Sequence, residues 1–118
     1  MAIFAVLTTY DNREVRDRVR PSHRAFLQEQ LDRGALISGG PFADDSGALL
    51  LFEVESREAL QEIIDQDPYT QTPGCLESIT VREWNRIFNR GQVLSALHSK
   101  YRLFRDQVEI VLLHSTTP

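Results

Sequence analysis

Cysteine is scarce in this sequence, since Cys75 is the only one among 118 residues. A disulfide framework within the chain is therefore excluded, as is a redox or metal site made of a cysteine pair. The sequence also lacks the run of about 18 apolar residues that a membrane-spanning helix requires. Its apolar first ten residues have no basic leader and no small-residue cleavage site, so we do not interpret them as a signal peptide. We expect a cytoplasmic protein that does not enter a membrane.

Sequence patterns that hold a cofactor are missing as well. His23, His98 and His114 are too scattered to be interpreted, with Cys75, as a metal site. The glycines at 39–40 are not followed by the Lys-Ser/Thr pair of a phosphate-binding loop. No serine or cysteine has a histidine at a spacing typical of an activated nucleophile. We therefore expect no metal, flavin or nicotinamide.

Charge is unevenly distributed along the chain. Residues 1–89 carry nine basic and fifteen acidic side chains, whereas residues 90–118 carry four basic and two acidic ones. An acidic domain repels phosphate backbones, so nucleic acid is not an expected partner. We divide the chain into one domain at 1–89 and a weakly basic C-terminal extension at 90–118.

The predicted elements follow the order β-α-β-β-α-β, which is typical of a ferredoxin-like, split-βαβ α+β fold. Residues 11–20 are predicted to form a charged linker, with one or two helical turns as the alternative, and Pro21 is expected to open the first clear helix, which Gly34 closes. Ser56 is expected to cap the second helix, which ends near Asp67 because a proline follows. Residues 39–47 are predicted to form a loop. The predicted strands are 2–10, 35–39, 48–54 and 76–84.

The first and third strands are apolar on both faces, as the segments AIFAVLTTY and ALLLFEV show. A ferredoxin-like sheet places both of its helices on one face. The other face then needs a separate cover, and the same face of a second subunit is the simplest one. We expect a homodimer or a higher homo-oligomer.

Three segments carry a resemblance to a known family. RPSHRAFLQEQLDRGALISGGPFAD, GALLLFEVESREALQEIIDQDPY and VREWN resemble, in this order and spacing, the helices, strands and Asp-Pro-aromatic element of the YciI (YCII-related) family. The resemblance covers about residues 3–88. It implies a dimeric α/β barrel in the wider group of muconolactone isomerases and small monooxygenase-like proteins. Some relatives are dehydrochlorinases of chlorinated hydroxyquinols, and the proposed catalytic pair of the family corresponds to His23 and Asp67.

The residues themselves agree on His23, which lies four and eight positions before Leu27 and Leu31 on the buried face of the predicted helix. A place in the first helical turn would favour a neutral, base-competent imidazole. The simpler alternative is a structural histidine at the edge of the core. Asp67 at the C-terminal end of a helix is disfavoured by the helix dipole, so orienting a histidine would explain it, although turn chemistry before a proline is the alternative.

Further residues are expected to bind the substrate near this pair. Arg20, just before the predicted helix, is a candidate for gripping an anionic oxygen. Gly39 and Pro41 belong to a turn in which backbone amides can approach a ligand closely. The neighbouring Ser38 and the aromatic Tyr69 complete the expected set, although an aromatic residue at that place is commonly a core or dimer contact. The arginine row 16, 20 and 24 is interpreted as a solvated face if the linker is helical.

Two functions of different classes fit these observations. The first is a cofactor-independent enzyme in which His23, held in one tautomer by Asp67, transfers a proton on a small cyclic or phenolic substrate. Isomerisation or elimination of a leaving group would follow. The second is a non-catalytic module that binds or senses a small molecule on the same fold, because fold alone does not decide function.

The C-terminal extension departs from the family pattern. Apolar residues at three- and four-residue spacings predict an amphipathic helix over about 92–105, and residues 108–113 (VEIVLL) predict a strand. A lone apolar strand must be paired to avoid aggregation. We expect this extension to contribute to the oligomer interface, with His98 and His114 in structural roles.

Overall fold

The computed structural model describes residues 1–90, of which Met1–Asn85 form one compact unit. Four strands form one antiparallel sheet, in the spatial order Leu36–Pro41, Gly47–Val54, Ala2–Tyr10 and Leu76–Trp84, which confirms the predicted ferredoxin-like α+β fold. The helix and strand predicted at 92–105 and 108–113, with His98 and His114, lie outside the described residues. In chain order the elements are β1 (Ala2–Tyr10), α1 (Arg13–Asp32), β2 (Leu36–Pro41), β3 (Gly47–Val54), α2 (Arg57–Gln66), α3 (Pro68–Gln71) and β4 (Leu76–Trp84).

The hydrophobic core lies between the helices and one face of the sheet. Alternate residues of β1 point into it, and Phe4 and Val6 pair with the equally buried Phe52 and Leu50 of β3. Because strand side chains alternate between faces, this register places one complete apolar set under the helices. Helix α2 covers it with two buried side chains, Leu60 and Ile64.

Helix α1 begins at Arg13, so the prediction that Pro21 opens the helix is wrong, and residues 13–20 are helical, which is the alternative left open for the charged linker. The side chain of Asn12 caps the helix by accepting hydrogen bonds from the backbone N–H groups of Glu14 and Val15. Pro21 therefore lies inside the helix, where a proline removes one backbone hydrogen bond at a cost of about 3 kcal/mol. Tertiary contacts on both sides of the proline outweigh this local penalty.

The Gly39-Gly40-Pro41 segment, predicted as a turn, is the last part of β2. Proline is tolerated there because β2 is an edge strand, where one side of the backbone needs no ladder hydrogen bond. The turn follows at 42–46, and within it Asp45 has a φ of 60°. The prediction failed because glycine and proline mark sheet edges as well as turns.

The face of the sheet away from the helices is also apolar. Ala5 and Leu7 of β1 pair there with Leu51 and Leu49 of β3, and all four are half-buried within the single chain. This arrangement agrees with the prediction that these strands are apolar on both faces.

Among the described residues, no helix is both long and apolar enough to span a membrane.

Candidate active site

His23 lies in the middle of helix α1 with its side chain turned towards the core. It is the eleventh residue of a helix that begins at Arg13. The expectation that it occupies the first helical turn is therefore wrong, and the dipole argument built on that position does not apply. What remains is its place on the buried face, where only 11% of its side chain is exposed.

His23 and Asp67 are in direct contact, as the resemblance implied. The distance from His23 Nδ1 to Asp67 Oδ1 is 2.7 Å, and the carboxylate side chain is also only 11% exposed. The same oxygen accepts a hydrogen bond of 2.9 Å from the backbone N–H of Tyr69. Because a carboxylate oxygen acts as an acceptor, Nδ1 carries a hydrogen, and in the neutral form of the imidazole Nε2 then carries the lone pair.

Asp67 has a structural role in addition to this contact. It ends α2 and is the N-cap residue of α3, and the bond from Tyr69 N is the capping bond. The two interpretations of Asp67, turn chemistry and histidine partner, are therefore compatible, since one oxygen atom serves both. The C-terminus of α2 disfavours a carboxylate at this position, and the N-terminus of the short helix α3, which favours one, opposes that effect.

Tyr69 forms an aromatic wall beside the histidine. Its ring stacks on the imidazole of His23 with a centroid distance of 3.7 Å and an interplanar angle of 9°. The ring of Tyr10 meets the Tyr69 ring edge-on, with a centroid distance of 6.1 Å. Burial raises the pKa of the Tyr69 hydroxyl, although the Arg20 guanidinium beside it acts in the opposite direction. The stacked tyrosine restricts rotation of the imidazole.

Arg16 packs against Tyr10, the residue that contacts Tyr69, and the sequence did not indicate this role. Its guanidinium is buried, lies 4.4 Å from the centroid of the Tyr10 ring and binds both oxygens of Asp45 at 2.7 and 2.9 Å. Asp17 accepts two further bonds from it. These partners raise the pKa of Arg16 above its already high value. The expectation of a solvated arginine row is wrong for this residue, since it holds the 42–46 turn against α1.

A cleft of about 360 Å³ opens beside His23 between α1 and the β2–β3 edge of the sheet. Its lining contains five of the seven residues singled out in the sequence: Arg20, His23, Gly39, Pro41 and Tyr69. Asp67 stays behind the imidazole, outside the cleft. Additional lining residues are Tyr10, Arg24, Leu27, Gln28, Leu31, Leu36, Gly40, Ala48 and Leu50.

Ser38 does not reach this cleft, so its assignment to the substrate site is wrong. The register shifts between Leu36 and Ser38, and Ser38 then pairs with Leu51. Leu51 faces away from the helices, so Ser38 lies on the opposite face of the sheet. The β-bulge is the physical cause, because one extra residue moves the following side chain to the other face.

A much smaller cavity of about 20 Å³ lies on the inner side of the histidine–aspartate pair. Both residues line it, together with the buried Thr8 and the exposed Thr70. Its volume is close to that of a single water molecule, and most of its remaining lining residues are apolar, among them Phe26, Leu50 and Phe52. Among residues 1–90, no three His, Cys, Asp or Glu side chains come together as metal ligands.

Comparison with known proteins identifies the family and the fold. The family model for the YCII-related domain matches residues 2–85. Protein YciI of Escherichia coli is 35% identical over 88 residues, covering 66% of this chain and 89% of that protein. The solved structure of 5-chloro-2-hydroxyhydroquinone dehydrochlorinase from Burkholderia phenoliruptrix, in complex with 2,5-dihydroxybenzoquinone, has a TM-score of 0.59 and 23% identity, covering 70% of this chain and 94% of that one.

An antibiotic biosynthesis monooxygenase structure has a TM-score of 0.50 at 15% identity, covering 73% of this chain and 99% of its own. At such identities the two solved structures establish a shared fold, which is the one built here from β1 to β4. The family is established separately, by a model that spans most of the chain and by a relative more than 30% identical. This chain belongs to the YCII-related family.

Proposed function

We propose that the protein is a cofactor-independent enzyme that transfers a proton on a small cyclic or phenolic substrate, with His23 as the base and Asp67 as its orienting partner. One observation carries the proposal, namely the 2.7 Å contact between Nδ1 and Oδ1 in the wall of a cleft. It leaves Nε2 as the nitrogen that can accept a proton. A buried carboxylate on the far side of a histidine fixes the tautomer and stabilises the imidazolium that forms.

The surroundings of Nε2 support a role in chemistry. None of the described residues forms a hydrogen bond with this atom. Within residues 1–90 the one fully buried side-chain nitrogen or oxygen without a partner is Oε1 of Gln30. Nε2 is therefore not sealed inside the core, and a substrate hydroxyl in the cleft can approach it.

The cleft is suited to a substituted ring. A cavity of about 150 Å³ is enough to hold benzene, so a volume of about 360 Å³ accommodates one ring with substituents. Its apolar walls come from Leu27, Leu36 and Leu50, and the plane of Tyr69 lies beside them. The structural neighbour from Burkholderia, a dehydrochlorinase with a bound dihydroxyquinone, supports a ligand of this size in this fold.

The proposed reaction requires only proton transfers. Nε2 accepts a proton from a ring hydroxyl and returns it to a ring carbon, which gives the keto tautomer and completes an isomerisation. Where that carbon carries a halide, loss of a second hydroxyl proton lets the halide depart with its bonding electrons. The net change is then loss of HX, so neither an oxidant nor a reductant is consumed.

Arg20 is proposed to stabilise the oxygen that becomes negative. It lines the cleft three residues before His23, and its side chain is 31% exposed. The backbone of Gly39 and Pro41 is proposed to approach the ring from the sheet side, where glycine leaves room. Both contributions require that the substrate fills the space between α1 and β2.

The experiment that tests this function uses chlorinated and unchlorinated hydroxyquinols with the full chain under anaerobic conditions. Chloride release and the ultraviolet spectrum report elimination, and solvent deuterium incorporated into the ring reports isomerisation. We expect His23→Gln to lower the rate about 10²–10⁴-fold. Gln28→Ala, a change in the lining away from the pair, serves as the matched control and is expected to change it only a few-fold.

Ligand binding without turnover of any of these compounds by the unaltered protein would contradict the proposal. That result would favour the non-catalytic binding module. Equal rates for the unaltered protein and His23→Gln would exclude the histidine as the base even if turnover occurred.

A further inference from the structure

We propose that Arg24 determines specificity by binding an anionic substituent of the substrate, so that the cleft selects ring compounds with a carboxylate or a second acidic oxygen. This inference rests on the proposed function for the ring and its reacting hydroxyl. It goes beyond it in naming the substrate class and in assigning a residue that the sequence did not single out as a ligand contact.

The charge of the cleft is the first observation. Two arginines, Arg20 and Arg24, line it, and no aspartate or glutamate is among its lining residues. The chain as a whole has a net charge of −4. A site with two positive charges in an acidic protein attracts anions selectively, because the surrounding surface repels them.

The neighbouring acidic groups do not neutralise this site equally. Asp17 and Asp45 are both bound by Arg16 at 2.7–3.0 Å. Arg20 reaches the same two carboxylates only at 3.4 and 3.8 Å. Both carboxylates therefore bind mainly to Arg16, which holds the 42–46 turn, and they neutralise the charge of Arg20 only in part.

Arg24 is further from these acids. It is exposed, and no hydrogen bond or ion pair joins its side chain to any residue of the described part of the chain. Positions 20 and 24 lie one turn apart on the same side of α1, about 6 Å along the helix axis. The guanidinium of Arg24 thus extends the positive side of the cleft beyond His23, with no partner among residues 1–90.

The order of side chains along α1 gives the orientation of such a ligand. From Arg20 and Arg24 the lining continues through Leu27 and Gln28 to Leu31. One end of the cleft is therefore cationic and the other mainly apolar. A ring packed on Leu27 beside the imidazole would direct a carboxylate towards Arg24, where a planar guanidinium can form two parallel hydrogen bonds.

The test compares two probes by isothermal titration calorimetry. They are hydroquinone and 2,5-dihydroxybenzoate, which differ only by one carboxylate group on the ring. We expect the unaltered protein to bind 2,5-dihydroxybenzoate about tenfold more tightly, as a charge-assisted hydrogen bond in a partly buried cleft allows. The preference should shrink as salt is raised, because the guanidinium is exposed.

Arg24→Gln is expected to remove the preference, so that 2,5-dihydroxybenzoate binds no more tightly than hydroquinone, and Arg24→Lys is expected to keep part of it. The control is Arg33→Gln, an equal loss of charge at the exposed C-cap of the same helix, which should leave the preference intact. Equal affinity for both probes, failure to bind either at millimolar concentration, or a preference that survives Arg24→Gln would overturn the inference. Loss of the preference in Arg33→Gln would assign it to the overall field of the protein.

The two proposals can fail separately. If His23→Gln abolishes turnover but the anion preference is absent, the reaction stands and the role of Arg24 is wrong. If the preference depends on Arg24 but no hydroxyquinol is converted, the substrate class stands for a binding protein and the enzymatic proposal is wrong.

Discussion

The double use of one oxygen atom of Asp67 allows its structural and chemical roles to be separated by substitution. Oδ1 accepts from His23 Nδ1 at 2.7 Å and from Tyr69 N at 2.9 Å. Asparagine caps helices as well as aspartate does. In Asp67→Asn the amide oxygen should take the place of Oδ1, since Tyr69 N–H requires an acceptor there, and the histidine tautomer should be retained.

The expected magnitudes follow from these contacts. Asp67→Asn should change the free energy of unfolding by less than about 1 kcal/mol, while loss of the charge lowers the rate about 10–100-fold. Asp67→Ala removes the cap, worth about 1 kcal/mol, and leaves the buried Nδ1–H of His23 without its partner, which costs about 1–3 kcal/mol. The total loss should be about 2–4 kcal/mol.

Asp67→Ser provides the third member of the series. A serine hydroxyl can cap α3 but is too short to hold the imidazole as well. We expect an intermediate stability and a rate well below that of Asp67→Asn. Urea unfolding followed by circular dichroism measures the stabilities, and chloride release or deuterium incorporation measures the rates.

Two results would refute this reasoning. If Asp67→Asn were as unstable as Asp67→Ala, the charge itself would hold the fold, and the capping argument would be wrong. If Asp67→Ser were as active as Asp67→Asn, fixing the tautomer of His23 would not matter for the reaction.

Three further predictions concern the surroundings of the site. We predict that the unaltered protein dimerises through the sheet face away from the helices and that Leu51→Glu on this face makes it a monomer in analytical ultracentrifugation. A monomeric unaltered protein, or a variant that stays dimeric, would contradict this prediction. Hydrogen bonds from Arg16 lower the pKa of Asp45. The stability difference between the unaltered protein and Asp45→Asn should therefore be full above pH about 4 and decrease as pH falls through the lower folded pKa. A difference in urea midpoint that grew as the pH was lowered below about 4 would contradict this linkage. A Cβ at Gly39 would lie 2.6 Å from a methyl group of Leu50, which lines the cleft, whereas a Cβ at Gly40 would meet nothing within 4 Å. Gly39→Ala should therefore weaken 2,5-dihydroxybenzoquinone binding in calorimetry several-fold more than Gly40→Ala. Equal effects of the two substitutions would show that the close approach of Gly39 to Leu50 is unimportant for binding.

Much of the fold could be predicted from local patterns. The bounds of β1 and β4 and the Ser56 cap follow directly from strand and cap patterns, which depend on a few neighbouring residues. The start of α1 did not follow, because the penalty of Pro21 is local while the contact that offsets it, Arg16 with Asp45, spans 29 positions. An analysis of short sequence windows includes the penalty of the proline but not the stabilising contact between distant residues, so it cannot compare the two free energies.

The site was predictable to a different degree. The pairing of His23 with Asp67 came from the family resemblance, because 44 positions separate them and no local pattern joins them. The β-bulge that turns Ser38 away has no sequence signal of its own. Arg16 was missed because a charged residue in a polar segment is normally solvated, and its burial depends on two carboxylates meeting it at once.

Cys75 gives the site a built-in chemical reporter. Its side chain is completely buried, burial raises the pKa of its thiol, and the charge of the nearby Asp67 acts in the same direction. A thiol reagent reacts with the thiolate, so labelling of the native protein requires the segment around α3 to open first. Because the chain has one cysteine, the labelled fraction measures that opening alone. The labelling rate therefore gives the free energy with which the elements carrying Asp67 and Tyr69 are held closed, and a ligand that packs on Tyr69 should slow it in proportion to its occupancy.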